Sequence, residues 1–201
     1  MNGLNEYNDN DIVNRALLKL GQETVIDLTE DNERARAANA LYNSVRDTLL
    51  STYRWNFATK RVELEACELT PAFGYKYQYD LPSDFLRLIS LPDAPNNACD
   101  NYEIEQQHIL TDYKSPLKII YTSRVTRANL FPPYFIEALS CRLAFEMCDR
   151  LKQDISRKNT LMQEYELAIR EAKKSNAIQR ANVSLPTSLD RKSGSAGMPR
   201  P

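Results

Sequence analysis

Residues 55–66, Trp-Asn-Phe-Ala-Thr-Lys-Arg-Val-Glu-Leu-Glu-Ala, decide the fold because the spacing of apolar residues changes within them. Before this stretch, apolar residues recur about every 3.6 positions, as on a helix with one buried face. Within it, Val62, Leu64 and Ala66 alternate with charged residues, as on a half-buried strand. The pattern predicts a helix–sheet boundary at Trp55, whose large side chain can either anchor the two layers or contact a partner.

Two helices are predicted before this boundary, each with one polar and one apolar face. We expect Asp9 or Asn10 to cap the first helix, and Gly21 to end it in the left-handed conformation that closes many helices. The second helix is predicted over residues 31–53. Its apolar line consists of Ala38, Leu41, Tyr42, Val45 and Leu49.

Strands are predicted after the boundary. Phe73, Tyr75, Tyr77 and Tyr79 occupy alternate positions, which favours the inner face of a sheet. If exposed, the same row can stack on sugars or bases. Further strands are predicted at residues 85–91, 102–105, 108–111 and 117–121, and together they indicate a small antiparallel sheet.

Helical spacing returns after Pro132-Pro133, where proline suits the first turn, and a last helix is predicted over residues 156–178. The element order predicts an α+β fold. In this fold, residues 9–57 and 132–178 supply two helical pairs that form a four-helix bundle, and residues 58–125 form an antiparallel β insertion. Residues 179–201 are rich in proline, glycine and serine and predict a flexible C-terminal arm.

The charge of the chain is balanced overall but uneven along it. The net charge of −1 disfavours a protein that holds DNA by neutralising phosphates. Acidic residues dominate residues 1–33, and basic residues dominate residues 150–180. These segments are either solvated helix faces or complementary edges that meet on neighbouring copies. The candidate inter-subunit residues are Asp27, Glu30, Asp31, Lys173 and Lys174.

Catalytic and metal-binding motifs are absent from the sequence. The four cysteines include no Cys-x-x-Cys pair, and His108 is the only histidine. We therefore expect no catalytic site, cofactor or metal. Glu63 and Glu65 would lie about 7 Å apart on one strand face, a spacing typical of a solvated strand but also compatible with an inverting glycoside hydrolase. No apolar run is long enough for a membrane span, and we expect no signal peptide and no membrane partner.

Several stretches, in order along the chain, carry a resemblance to one family. The most specific is an arginine–alanine helix containing Arg34 and Arg36 that leads into Trp55, Asn56 and Phe57. The others are Ala16-Leu17-Leu18-Lys19-Leu20-Gly21, Val45-Arg46-Asp47, Phe73-Gly74-Tyr75, Leu81-Pro82-Ser83-Asp84, Ala138-Leu139 and Leu143-Ala144. Over residues 10–175 the chain resembles the tail tubular protein A family, the head-to-tail adaptors, or gatekeepers, of short-tailed bacteriophages of the podovirus type.

The resemblance implies a structural virion protein of the phage tail, without enzymatic activity, that assembles in the host cytoplasm. It implies self-association into a dodecameric ring between the portal protein and a tail nozzle protein of the tail tubular protein B type. Genomic DNA would be retained by, and ejected through, the channel of this ring without sequence-specific binding. Tail fibres are a further candidate partner. The C-terminal arm is implied to bind the portal, with Val183, Leu185, Leu189, Arg191 and Lys192 as candidate contacts.

Two other functions remain compatible with the residues. One is a virion-associated glycan hydrolase that uses Glu63 and Glu65, which predicts that amide variants of both glutamates lose sugar release while assembly is kept. The other is a monomeric binding module that uses an exposed tyrosine face. It predicts that no ring forms even on a portal.

Overall fold

The computed structural model describes residues 7–94 and 101–179. Four helices and six strands lie in these ranges, which confirms the predicted mixture of helices and antiparallel strands. Apart from Gln179, the predicted arm lies outside the described residues, and so do its five candidate portal contacts. The elements are α1 (Asp9–Leu20), α2 (Glu33–Thr52), β1 (Thr59–Leu64), β2 (Tyr77–Asp80), β3 (Phe85–Ser90), β4 (Tyr102–Glu105), β5 (His108–Thr111), β6 (Leu117–Ser123), α3 (Pro133–Leu151) and α4 (Ile155–Ile178).

The helix α3 is central to the helical layer. It packs against α1, α2 and α4, whereas α1 and α2 contact each other much less. Apolar residues are spread around α3, and a helix that is apolar on most sides is buried on most sides. Its fully buried residues include Phe135, Leu139, Leu143 and Met147. Within the described ranges, no helix has the length and apolar character that a membrane crossing requires.

The helix starts differ from the sequence predictions by one or two residues. Asn8 caps α1, because its side chain accepts a hydrogen bond from Asp11 N at 2.9 Å while the Asp11 carboxylate accepts one from Asn8 N at 2.9 Å. The prediction of Asp9 or Asn10 as the cap is therefore wrong, since only Asn8 has an acidic residue three positions later that can complete this reciprocal pair. Gly21 ends α1 with φ 69°, as expected.

The predicted single sheet is in fact two three-stranded antiparallel sheets. Sheet A has the order β1-β6-β3 and sheet B has the order β2-β5-β4. The chain leaves sheet A after Leu64, and β2 then pairs with β5 rather than with β1. A single bridge between Ala66 and Tyr79 connects the continuation of β1 to sheet B. The sheets therefore share little backbone pairing.

Half of the aromatic row predicted as one strand, Phe73 and Tyr75, lies outside the sheet. The strand β2 begins only at Tyr77, and Phe73 is 89% exposed whereas Tyr79 is fully buried. Gly74 adopts φ 89°, a left-handed conformation that interrupts an extended strand. The prediction of an inner sheet face is therefore wrong for Phe73, although it holds for Tyr79.

Two hydrophobic cores follow from this arrangement. The larger lies among the helices and extends to Trp55, Ala58 and Phe131 at the edge of sheet A. The smaller lies between the two sheets and is built around Tyr79, Leu91, Ile109, Leu117, Ile119 and Tyr121. The helical layer and sheet A thus meet at the segment that follows α2.

Candidate functional site

Trp55 is the centre of the contact between the helical layer and sheet A. Its side chain is fully buried, and its indole Nε1 donates a hydrogen bond to the Leu49 carbonyl at 2.9 Å. Its ring centroid lies 5.2 Å from the ring centroids of both Tyr53 and Phe135 in edge-on arrangements. Because no part of the indole is exposed, Trp55 fixes these layers and offers no surface to a partner in this conformation.

Asn56 is held by a buried asparagine on α4 that sequence reasoning missed. Asn176 is fully buried, and its side-chain oxygen accepts a hydrogen bond from Asn56 N at 2.8 Å. Its Nδ2 donates to the Arg54 carbonyl at 2.9 Å, and Asn56 Nδ2 donates to the Asn176 carbonyl at 2.7 Å. These three bonds attach the end of α4 to the segment after α2. Only the placement of an asparagine on the inner face of α4 could have suggested this role.

Phe57 extends the anchor into an aromatic cluster, which we define as Trp55, Phe57, Phe131 and Phe135. The Phe57 ring centroid lies 4.9 Å from that of Phe135 and 5.9 Å from that of Phe131. Phe131 and Phe135 lie 5.0 Å apart. Such pairs contribute about 0.5–1.5 kcal/mol each beyond their buried area. The cluster therefore joins α2, α3 and the start of β1.

A polar network flanks the aromatic cluster and joins α2 to sheet A. The Asp47 carboxylate accepts hydrogen bonds from Arg46 Nε at 2.9 Å and from Arg124 Nε at 2.8 Å. Arg124 N donates to the Asp84 carbonyl at 2.6 Å, which continues the connection to the residue before β3. We call Asp47, Asp84 and Arg124 the junction network. Asp47 and Asp84 both lie in the stretches that carry the family resemblance, but no spacing in the sequence predicts their connection.

The carboxylate of Asp84 binds side chains from an outer strand, β1, and the central strand, β6, of sheet A. It accepts hydrogen bonds from Lys60 Nζ on β1 at 2.5 Å and from the Tyr121 hydroxyl on β6 at 2.9 Å. Partial burial opposes ionisation, but the bonds from Lys60 and Tyr121 outweigh it and lower the pKa of Asp84. Burial, with the hydrogen bond to Asp84, raises the pKa of Tyr121 to about 12. The pair is therefore an ionised carboxylate and a neutral phenol at neutral pH.

Arg34 and Arg36 lie at the other end of α2 from the aromatic cluster. Arg34 Nη2 lies 3.4 Å from the Glu23 carboxylate, and Arg36 Nη1 lies 2.6 Å from Asp31 Oδ1. The 20 residues of α2 place these arginines about 30 Å from Trp55. The structure therefore separates the five residues of the family signature into two groups with different surroundings.

The acidic loop, which we define as Asp27, Glu30 and Asp31, immediately precedes α2. Asp27 accepts hydrogen bonds from Thr29 N at 2.7 Å and from Thr29 Oγ1 at 2.6 Å, and these bonds lower the pKa of Asp27. Glu30 Oε1 accepts from the backbone N–H groups of Ile26 and Asp27 at 2.6 and 3.0 Å. The acids thus shape their own loop, while the Asp31 side chain remains 91% exposed.

Lys173 and Lys174 lie on α4 at the opposite end of the helical layer. Both are exposed, and Lys173 Nζ lies 5.5 Å from the centroid of the Tyr53 ring, beside the end of α2. The length of α2 separates them from the acidic loop by about 30 Å. Neither lysine forms an ion pair within residues 7–94 and 101–179. The two charged surfaces therefore cannot neutralise each other in one chain.

One ion pair within the chain reduces the number of basic residues that can meet the acidic segment of a neighbouring copy. Arg150 Nε lies 3.6 Å from Glu33 Oε1, so a base of residues 150–180 and an acid of residues 1–33 meet inside a single subunit. Arg150 is therefore not free to pair with an acid of a neighbouring copy. Lys173 and Lys174 are better candidates than Arg150 for an inter-subunit ion pair.

Glu63 and Glu65 do not share a cleft. Glu63 is exposed, lies opposite Lys118 in the β1–β6 ladder and lines a surface cleft with Arg61, Pro92 and Lys118. Glu65 is not among the residues that line this cleft, and it accepts a hydrogen bond from the Ser115 hydroxyl. The arrangement gives the two carboxylates different environments, neither of which encloses a sugar.

One group of metal-ligating residue types does converge, although no spacing of these residues along the chain indicates it. Cys67, Asp80 and His108 bring a thiol, a carboxylate and an imidazole within 4.8 Å of one another at one edge of sheet B. Burial, followed by the hydrogen bond to Asp80, raises the pKa of the Cys67 thiol. The pairing of β2 with β5 produces this convergence, and no local pattern in the sequence could have predicted it.

No model of a known protein family matches this chain, and no curated protein matches it significantly. The likeness to the tail tubular protein A family therefore depends on the residues that carry it, and what it implies for function is a proposal.

Proposed function

We propose that this protein is a structural ring subunit of a bacteriophage tail, an adaptor of the tail tubular protein A type. It would connect the portal protein to the tail nozzle protein in the virion. The observation that carries this proposal is the pair of oppositely charged surfaces at the two ends of the helical layer, which lie too far apart to meet within one chain. Such a pair suits a subunit of a head-to-tail assembly, in which one face meets a different face of the next copy.

The placement of the two surfaces supports a ring. In a heterologous contact, one face of a subunit meets a different face of the next, and the contacts form a ring where the rotation between neighbours closes. The acidic loop presents Asp31 to solvent, and α4 presents Lys173 and Lys174 about 30 Å away. In this proposal the acidic loop of one copy meets the lysines of its neighbour, and the resemblance sets the number of copies at twelve.

The fold suits the wall of such a ring. We interpret the helical layer as a four-helix bundle around α3, with the two sheets extending from it beyond the junction network. Residues 179–201 would be the arm that binds the portal through Val183, Leu185, Leu189, Arg191 and Lys192. The net charge of −1 suits a channel that DNA crosses without being held.

Native mass spectrometry of the full chain mixed with the portal ring of the same phage tests this proposal. We expect many copies per portal, in a number set by the symmetry of the portal, even if the free chain is a monomer. The charge-reversed variant K173E/K174E should assemble poorly at low salt. A control variant, K76E/K114E, changes the net charge equally on exposed residues of the β region and should assemble normally. No binding to an intact portal would contradict the adaptor function.

A further inference from the structure

The Cys67–Asp80–His108 cluster is held together by the backbone of sheet B. Asp80 and His108 are direct partners in the β2–β5 ladder. Cys67 N donates a hydrogen bond to the Gln78 carbonyl at 2.8 Å, and the bridge between Ala66 and Tyr79 places Cys67 opposite Gln78, two residues from Asp80 along β2. The three side chains therefore start from neighbouring, fixed backbone positions and converge on one point.

His108 has a ring nitrogen that the protein does not satisfy. Nδ1 lies 2.9 Å from Asp80 Oδ1, but among the described residues it has no hydrogen-bond partner, so its contact with the carboxylate is electrostatic. Buried polar atoms without a hydrogen bond are uncommon. A metal ion between the imidazole and the carboxylate would use both groups. The side chains of His108 and Asp80 are 32% and 76% exposed, so the cluster borders solvent.

The chemistry of the three groups selects the class of ion. A thiolate and an imidazole favour borderline and soft metals such as Zn²⁺, whereas Mg²⁺ and Ca²⁺ require mainly oxygen ligands. Zinc bonds of about 2.0–2.3 Å at tetrahedral angles place the ligand atoms about 3.3–3.8 Å apart. The observed separations lie close to this range, since His108 Nδ1 is 2.9 Å from Asp80 Oδ1 and all three ligand atoms lie within 4.8 Å of one another, so small side-chain shifts suffice.

We propose that Cys67, Asp80 and His108 bind a divalent transition metal, Zn²⁺ in preference to the hard cations. Three protein ligands leave the fourth tetrahedral position to water or to a group from another molecule. The ion connects the chain that continues from β1 with both β2 and β5. It thereby strengthens the connection between the two sheets, where, among the described residues, the Ala66–Tyr79 bridge alone pairs the continuation of β1 with sheet B.

The test uses the full chain, treated with a chelator and kept reduced with a phosphine, and titrates Zn²⁺ or Co²⁺ alone. We expect one ion per chain, and a thiolate-to-cobalt absorption band with Co²⁺. Loss of an outer-shell partner typically weakens binding by about 10–100-fold, so C67S and H108A should weaken it by at least about 100-fold. D80N should also weaken binding. Since His108 is the only histidine, its imidazole NMR signals should shift on Zn²⁺ addition in the unmodified chain.

Two control variants separate this site from other thiols and carboxylates. C99S removes a cysteine outside the described residues, and D93N removes an exposed carboxylate that lies 3.3 Å from Lys118. Both should bind as the unmodified chain does, and circular dichroism should show that all variants are folded. Failure to bind, a cobalt spectrum without the thiolate band, or binding that C67S and H108A retain would overturn the proposal. Loss of binding in C99S would overturn the assignment of ligands. None of these outcomes bears on ring assembly.

Discussion

The junction between the helical layer and sheet A differs from sheet B in how it is held. At the junction, the aromatic cluster contains a fully buried Trp55, and the junction network adds hydrogen bonds between α2 and sheet A. Sheet B is joined to the path of sheet A by one backbone bridge and a small core, and the neighbouring Phe73 is 89% exposed. The comparison teaches that large buried anchors and the hydrogen bonds beside them concentrate where two layers must be fixed. Sheet B has more freedom to serve as a contact surface.

The largest effect should come from removing the anchor of the junction. W55A should lower the free energy of unfolding by about 3–5 kcal/mol, because it leaves a large cavity in the helical core. The matched variant F73A should change it by less than about 0.5 kcal/mol, since Phe73 is exposed. Urea denaturation followed by circular dichroism measures both values. Equal changes in the free energy of unfolding for W55A and F73A would show that the junction is held no more firmly than the region beside sheet B.

A second, smaller effect should come from Asn176. N176A removes the two hydrogen bonds that the Asn176 side chain forms with Asn56 N and the Arg54 carbonyl, while the bond from Asn56 Nδ2 to the backbone carbonyl of residue 176 can remain. Loss of a buried partner typically costs about 1–3 kcal/mol in the free energy of unfolding. N159A makes the same substitution at an exposed position of the same helix and should have little effect. An equal loss of stability in both variants would indicate that the substitution weakens the helix α4 itself, rather than the hydrogen bonds between α4 and the junction.

The fold was predictable where a local period or cap determines it. The boundary at Trp55, the left-handed Gly21 and the half-buried alternation of β1 all follow from neighbouring residues. The division into two sheets was not predictable, because it depends on the pairing of β2 with β5, which lies about 30 residues further along the chain. This pairing, which places Asp80 opposite His108, becomes visible only in the folded structure. For the same reason, the functional residues predicted from the sequence do not include Asn176, Asp47, Asp84 or the Cys67–Asp80–His108 cluster.

A third prediction concerns the pH dependence of the junction. The pKa of Asp84 is lowered below its ordinary value of 3.8 in the folded protein, so its ionised form contributes stability above that pH. This contribution is lost as the pH falls below 3.8 through the lower, folded pKa. D84N should therefore be less stable than the unmodified protein at neutral pH, by about 1 kcal/mol. This difference should shrink in acid.

Denaturation at a series of pH values from neutral down into strong acid measures this difference. D93N is the control, because Asp93 is a more exposed carboxylate that lies 3.3 Å from Lys118 at the surface. Exposed pairs of this kind contribute little. A D84N difference that stays constant into acid would show that the bonds from Lys60 and Tyr121 do not favour the ionised carboxylate.

The smallest effect per contact should be at the proposed ring interface, since exposed ion pairs contribute only about 0.2–1 kcal/mol each. Many identical contacts in a closed ring add, so K173E/K174E should still shift assembly measurably at low salt, and added salt should reduce the difference. The sharper test adds D31K to K173E/K174E, and we call the combination the exchanged variant because it reverses charge on both surfaces. Asp27 and Glu30 are left in place because both accept hydrogen bonds from the backbone of the acidic loop. If the surfaces meet across subunits, K173E/K174E and D31K should each assemble poorly alone and the exchanged variant should recover in part, as native mass spectrometry on the portal would show. If the assembly defect of the exchanged variant equals the sum of the defects of its component variants, the lysines of α4 and the acidic loop contact something other than each other.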